Sequence, residues 1–173
     1  PPSLFPHKSA RQLNVIMIRH PIAWLTGIIK APYNIHCKRF LTDCTLTPVA
    51  SFQYQESRHY AHVIDIWNEY YRDYQSLEGN WYIVRYEDLL IDAETVIRNI
   101  GEAVRTIKGH HKRQLFQQIY TPSKSHGNPR DHSSAYRYNL NKDWKATYSS
   151  NQIQEWCQRV NLDLLKQFHY TCP

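Results

Sequence analysis

The chain reads as an α/β protein in which a partial parallel sheet is flanked by helices. Two strand-forming runs carry that reading, Leu13-Asn14-Val15-Ile16-Met17-Ile18 and Trp81-Tyr82-Ile83-Val84. Between them lies a segment with helical apolar spacing, and a long crossover of that kind is what joins parallel neighbours. Two strands make only part of such a sheet, so the expectation is half of an α/β domain. The opening Pro1-Pro2-Ser3-Leu4, which lacks a start methionine, agrees with an incomplete product.

The first run, expected to be a buried strand over 13–18, ends abruptly in Arg19-His20-Pro21. Proline suits the first turn of a helix, where its missing N–H would have been unpaired anyway. That helix carries Ile22, Trp24, Leu25 and Ile28 until Pro32 breaks it. Residues 33–56 have no steady period and read as a long loop or lid with short helical pieces. Tyr60, Val63, Ile64, Trp67, Tyr71 and Tyr74 then share one face of a helix expected over 57–76. Gly79-Asn80 ends that element ahead of the second strand. Asp92 is placed to cap a helix whose apolar face is Val96, Ile97, Ile100, Ala103, Val104 and Ile107. Residues 108–147 are basic, polar and irregular, apart from a short helical pattern over 111–119. A last helix starts at Ser149 or Ser150, where Ser149 and Gln152 have capping-box spacing. Its inward face is Ile153, Trp156, Cys157, Val160 and Leu164, with Phe168 near the end.

At 173 residues the chain has the usual size of one domain. Its net charge of +6 favours anionic partners without selecting among nucleic acid, phosphate cofactor and acidic glycan. No stretch approaches the roughly 18 apolar residues of a membrane span, and the first residues do not form a signal peptide. The four cysteines, at 37, 44, 157 and 172, are compatible with two disulfides, one disulfide or free thiols. Cys157 reads as core packing or as a partner of Cys172. His36, Cys37, Cys44, His59 and His62 could hold zinc, but lack the tight Cys-x₂₋₄-Cys pair that such sites use. No metal site is expected.

The strongest candidate ligand contact is Arg19. Ligands of open α/β folds gather outside the carboxyl ends of the strands, and a guanidinium there offers a rigid fork of donors for phosphate or carboxylate. The alternative is an arginine that reaches solvent or a local carboxylate. Thr26 and Gly27, one to two turns beyond Pro21, offer a hydroxyl and bare backbone to an anion held near the helix start. Arg85-Tyr86-Glu87-Asp88 closes the second strand, where its carboxylates can hold Arg19, cap the next turn or act on a substrate. Ser133 to Lys145 mixes basic and aromatic side chains, as would a loop folded over a nucleotide or a solvated loop anchored by Trp144. There is no G-x-x-x-x-G-K-[ST] loop and no G-x-G-x-x-G. The five dispersed glycines cannot cradle a diphosphate through clustered backbone N–H groups.

Three stretches together resemble the sulfotransferase family that uses 3′-phosphoadenosine 5′-phosphosulfate (PAPS). Val15-Ile16-Met17-Ile18-Arg19-His20-Pro21, with Trp24 following, resembles its 3′-phosphate-binding motif. Tyr82-Ile83-Val84-Arg85-Tyr86-Glu87-Asp88-Leu89-Leu90 resembles its strand-plus-RYEDL segment. Arg137 through Trp144, followed by Ser149-Ser150 and the last helix, is similar to its C-terminal cofactor loop. The resemblance covers about residues 13–170. It implies a sulfotransferase-like (P-loop NTPase-like) fold lacking its N-terminal phosphosulfate-loop unit, with residues 1–173 forming a partial sulfotransferase domain. By the same resemblance Arg19 and Arg137 bind the 3′-phosphate of PAPS, the co-substrate. Gly27 stands where the family has a serine, and Thr26 is the nearest hydroxyl. The family's arginine-lysine-glycine loop is here Arg137-Tyr138-Asn139. The phosphosulfate loop, with its lysine, and the catalytic base lie upstream in the family, so no catalytic residue is assigned and the isolated chain is expected not to turn over.

The implied reaction is sulfuryl transfer to an acceptor hydroxyl, with a carbohydrate acceptor and a Golgi-lumen setting preferred over a cytoplasmic small-molecule enzyme. Two other classes stand beside it: a catalytically silent sulfotransferase-like binding module, and a basic nucleic-acid-binding domain. Basic residues dispersed among acidic ones, with no groove- or strand-recognition motif, count against the last.

Overall fold

The computed structural model describes residues 12–31, 35–37, 49–53, 56–76, 79–108, 123–125, 128–130 and 132–173. Two compact units emerge, one from Pro1–Ile18 with Ser76–Arg137, the other from Arg19–Gln75 with Tyr138–Pro173.

The first unit holds the parallel sheet. Strand β1 (Leu13–Ile18) pairs in parallel with β5 (Asn80–Arg85), with Leu13 opposite Asn80 and Ile18 opposite Arg85. Both runs lie where their apolar, β-branched composition places them. Burial of β1 is one-sided: Ile16 and Ile18 are buried, whereas Val15 and Met17 are 48% and 53% exposed. The expectation of a buried strand therefore holds for one face only, the alternation of a sheet covered on a single side. Helix α3 (Tyr86–Lys108) packs on both strands.

That helix is two segments joined at Asp92, whose φ of −150° and ψ of 77° are not helical. The Asp92 carboxylate accepts from Thr95 N at 3.0 Å, as the cap signal requires, and this bond holds its carboxyl below the usual range. The preceding turns, Tyr86–Ile91, are helical as well, which the cap alone did not reveal. Among the residues expected to be irregular, a hairpin of β6 (Ser123–Ser125) and β7 (Asn128–Arg130) and helix α4 (His132–Asn139) form instead. The pattern over 111–119 lies outside the described residues.

The second unit is mainly helical. Helix α1 (Pro21–Lys30) begins with proline at its first position, and His20 Nδ1 accepts from Ile22 N at 3.3 Å as its N-cap. The expected lid over 33–56 differs in kind: β2 (Ile35–Cys37), β3 (Val49–Gln53) and β4 (Glu56–Tyr60) pair antiparallel in that order. Strands of three and five residues are too short to show a local period. Since β4 takes residues 56–60, helix α2 begins later than expected and spans Val63–Gln75. Its face is as read, with Val63, Ile64, Trp67 and Tyr71 buried.

The last helix also differs. Helix α5 (Ser150–Arg159) has the full Ser149–Gln152 capping box, but the chain breaks at Val160 and restarts as α6 (Leu162–Gln167). Asn161 caps α6 through Asp163 N and Leu164 N, while its own N–H bonds Asn68 Oδ1 on α2 at 2.9 Å. Asn68 Nδ2 donates to Arg159 O at 2.8 Å, so α2 supplies partners for both sides of the break. Helix α1 packs on α2 and α5, and α2 on α6. The core between them includes Ile22, Leu25, Trp67, Trp144, Trp156 and Phe168. Trp67 and Phe168 meet edge to face, and each also contacts the Tyr71 ring.

The C-terminal tail is tied down in two ways. Cys157 and Cys172 form a disulfide. Next to it, His20 Nε2 donates to Thr171 O at 3.1 Å, the tautomer left once Nδ1 accepts from the helix N–H. The His20 ring lies against Trp144 and Tyr170. Cys44 and the side chains of His36, Cys37 and His59 lie outside the described residues, and so does the zinc set they would form.

A candidate anion site around Arg19 and Tyr138

Arg19 follows the last residue of β1 and opens the second unit. Its backbone carbonyl accepts from Trp67 Nε1 of α2 at 3.1 Å, a bond within the second unit. Its side chain is half-buried, and Nε donates to Asn139 Oδ1 at 2.7 Å. The guanidinium carbon stands 5.5 Å from the centre of the Tyr138 ring, a cation–π distance.

Gly27 faces the same guanidinium. A Cβ at position 27 would stand 3.2 Å from Arg19 Nη1, closer than an unadjusted contact allows. The bare backbone there admits the arginine in its present rotamer. Thr26 is fully buried, and its hydroxyl proton goes to Ala23 O at 3.0 Å. The Tyr138 hydroxyl, 2.6 Å away, therefore donates to Thr26 Oγ1. Thus Thr26 reaches the site through Tyr138, whose ring it anchors. At the helix start His20 caps Ile22 N.

Arg137 lies on α4, exposed, and belongs to the first unit. The expected loop is helical over residues 132–139. Its next two residues, Tyr138 and Asn139, are the ones that meet Arg19. These two stand where the family's loop has lysine and glycine. At the end of β5, Asp88 pairs with Arg85 at 3.8 Å across the first turn of α3, and Glu87 is buried.

Sequence reasoning also passed over Lys30. Its Nζ stands 4.8 Å from the centre of the Tyr138 ring. The available signal was spacing: Thr26 and Lys30 are four apart and Gly27 and Lys30 three apart on one helix, so they share a side. Farther along, Lys142 has a left-handed backbone (φ 59°), and burial followed by Lys145 repulsion pushes its ammonium pKa down. Burial and the neighbouring Tyr138 push the Tyr148 hydroxyl up.

Arginine and lysine thus meet one immobilised aromatic ring, a positive environment that suits a phosphate or sulfate group. Among the described residues no cluster of His, Cys, Asp or Glu offers a metal centre. No described helix is long and apolar enough to cross a membrane. No family model, curated protein or solved structure matches the chain.

Proposed function

We propose that this chain forms a partial sulfotransferase domain, supplying the 3′-phosphate side of a PAPS site in an enzyme that sulfates an acceptor hydroxyl on a carbohydrate. The observation that carries the reading is the approach of position 27 to the Arg19 guanidinium, with 3.2 Å between Nη1 and the Cβ that Gly27 lacks. The resemblance implies that the residue eight positions after the arginine shares its phosphate. The geometry supports this, because a hydroxyl on a Cβ there would stand beside the same guanidinium.

In the proposed reaction the acceptor oxygen attacks sulfur in line with the leaving phosphate. The new S–O bond forms as the bond to the bridging phosphate oxygen breaks. The electron pair stays on that oxygen, leaving adenosine 3′,5′-bisphosphate, and a base takes the acceptor proton. Cations near the bridging oxygen offset its developing charge. Arg19 acts away from sulfur, holding the 3′-phosphate and with it the orientation of the nucleotide. The Cys157–Cys172 disulfide supports an oxidising compartment such as the Golgi lumen.

Calorimetry tests the binding half. The chain should bind adenosine 3′,5′-bisphosphate more tightly than adenosine 5′-monophosphate, and Arg19→Ala should erase most of that preference. A lost charge-assisted contact is worth about 1.5–3 kcal/mol, a ten- to hundredfold change. Equal losses for both nucleotides would refute a 3′-phosphate role.

A further inference from the structure

We propose that Lys30 is a second phosphate-binding cation, paired with Arg19 through the Tyr138 ring they share; the inference rests on Arg19 being a phosphate contact. Lys30 lies in the last turn of α1 and is exposed. Its Nζ stands 4.8 Å from the centre of that ring. Arg19 approaches the same ring at 5.5 Å. Two like charges drawn to one aromatic group repel, and a bound anion relieves that repulsion. A phosphate monoester dianion reverses the sign of the interaction for both.

The ring is fixed in advance. Its hydroxyl is held by buried Thr26, and the next residue, Asn139, holds Arg19. Ligand binding therefore has only the lysine chain left to order, which keeps the entropic cost low. Helix α1 contributes Gly27 and Lys30 from one side, and the Tyr138-Asn139 pair contributes from the other. Arg19 approaches Gly27 on the one and Tyr138 and Asn139 on the other. The ligand class is a terminal phosphate carrying two negative charges, the chemistry of a ribose 3′-phosphate.

The test uses the full chain as wild type, Lys30→Ala, Lys30→Arg and Arg19→Ala, with adenosine 3′,5′-bisphosphate, adenosine 5′-monophosphate and inorganic pyrophosphate in the calorimeter. Lys30→Ala should weaken the 3′,5′-bisphosphate about tenfold, as expected for one charge-assisted contact, and Lys30→Arg should restore most of that affinity. Unchanged binding in Lys30→Ala beside a clear loss in Arg19→Ala overturns the role of Lys30 and leaves the reading of Arg19 intact. A wild type indifferent to the 3′-phosphate overturns that reading, and pyrophosphate then decides for Lys30: a tenfold loss in Lys30→Ala upholds the cation pair, equal binding overturns it. Wild type that binds none of the three overturns both. A melting temperature lowered in Lys30→Ala without any loss of affinity marks a helix-end role only and overturns the proposal.

Discussion

Arg19 Nε donates to Asn139 Oδ1 at 2.7 Å, a bond spanning 120 positions that ties the residue after β1 to the last residue of α4. The acceptor is an amide, which orients the guanidinium and carries no charge of its own. Asn139→Asp should keep the orientation and cancel the charge. Affinity for adenosine 3′,5′-bisphosphate should then fall at least tenfold, with the melting temperature maintained or raised. Undiminished affinity would show that the Arg19 charge is not what binds.

Gly27 permits a sharper test, because two substitutions share a steric effect and differ in chemistry. Both Gly27→Ala and Gly27→Ser place a Cβ 3.2 Å from Arg19 Nη1 and shift the guanidinium by a few tenths of an ångström. Both also raise helix propensity, by up to about 1 kcal/mol for alanine. Alanine should weaken phosphate binding severalfold, whereas serine should recover that loss or exceed wild type. Equal weakening by both, in titrations with adenosine 3′,5′-bisphosphate, would place the phosphate away from this face of α1.

The Thr26–Tyr138 hydrogen bond should show energetic coupling. Thr26→Val and Tyr138→Phe each remove one partner, and each should cost about 0.5–1.5 kcal/mol in urea unfolding, more where a buried group is left unpaired. The double variant should cost less than the two single costs together. Strict additivity would mean that the 2.6 Å contact contributes nothing to stability.

The Cys157–Cys172 disulfide closes a segment with a sequence separation of 15. In the chain-entropy account a loop of about that length contributes about 3 kcal/mol. Cys172→Ser should lower stability by that order and loosen the tail that His20 holds at Thr171. Hydrogen exchange at Tyr170, whose N–H bonds Leu165 O at 2.8 Å, would report the loosening. Unchanged protection there would show that packing of Tyr170 and Phe168 is enough to hold the tail.

Lys142 gives a pH dependence whose sign is set. Burial and Lys145 push its folded pKa below the unfolded value. Below the folded pKa the charged form is penalised in the native state. As pH rises from there toward the unfolded pKa, the unfolded chain binds more protons and stability increases. Lys142→Asn should remove this slope. It should also stabilise the chain by about 0.5–1 kcal/mol near neutral pH, since asparagine tolerates the left-handed backbone better than lysine. An unaltered slope in urea titrations across alkaline pH would assign it to another group.

Local signals were enough for much of the framework. Strand runs at 13–18 and 81–84, proline at the start of α1, the Asp92 cap, the apolar face of α2 and the Ser149–Gln152 box each depend on residues a few positions apart. Their periodicity and capping chemistry survive any tertiary arrangement. Arg19 was legible for the same reason, as an arginine ending an apolar strand ahead of a proline.

Its surroundings were not. Asn139 and Tyr138 meet Arg19 only after the chain has folded back more than a hundred positions, and no local pattern encodes that pairing. The short strands over 35–60 draw their hydrogen bonds from one another, and at three and five residues they are too short to show a period of their own. The break between α5 and α6 is likewise decided from outside, by the Asn68 amide of α2 bonding both Arg159 O and Asn161 N. Hydrophobic period and capping act within a few residues of their source. The partners of a guanidinium, an unpaired strand edge or a helix end are chosen by whatever packing brings within about 3 Å.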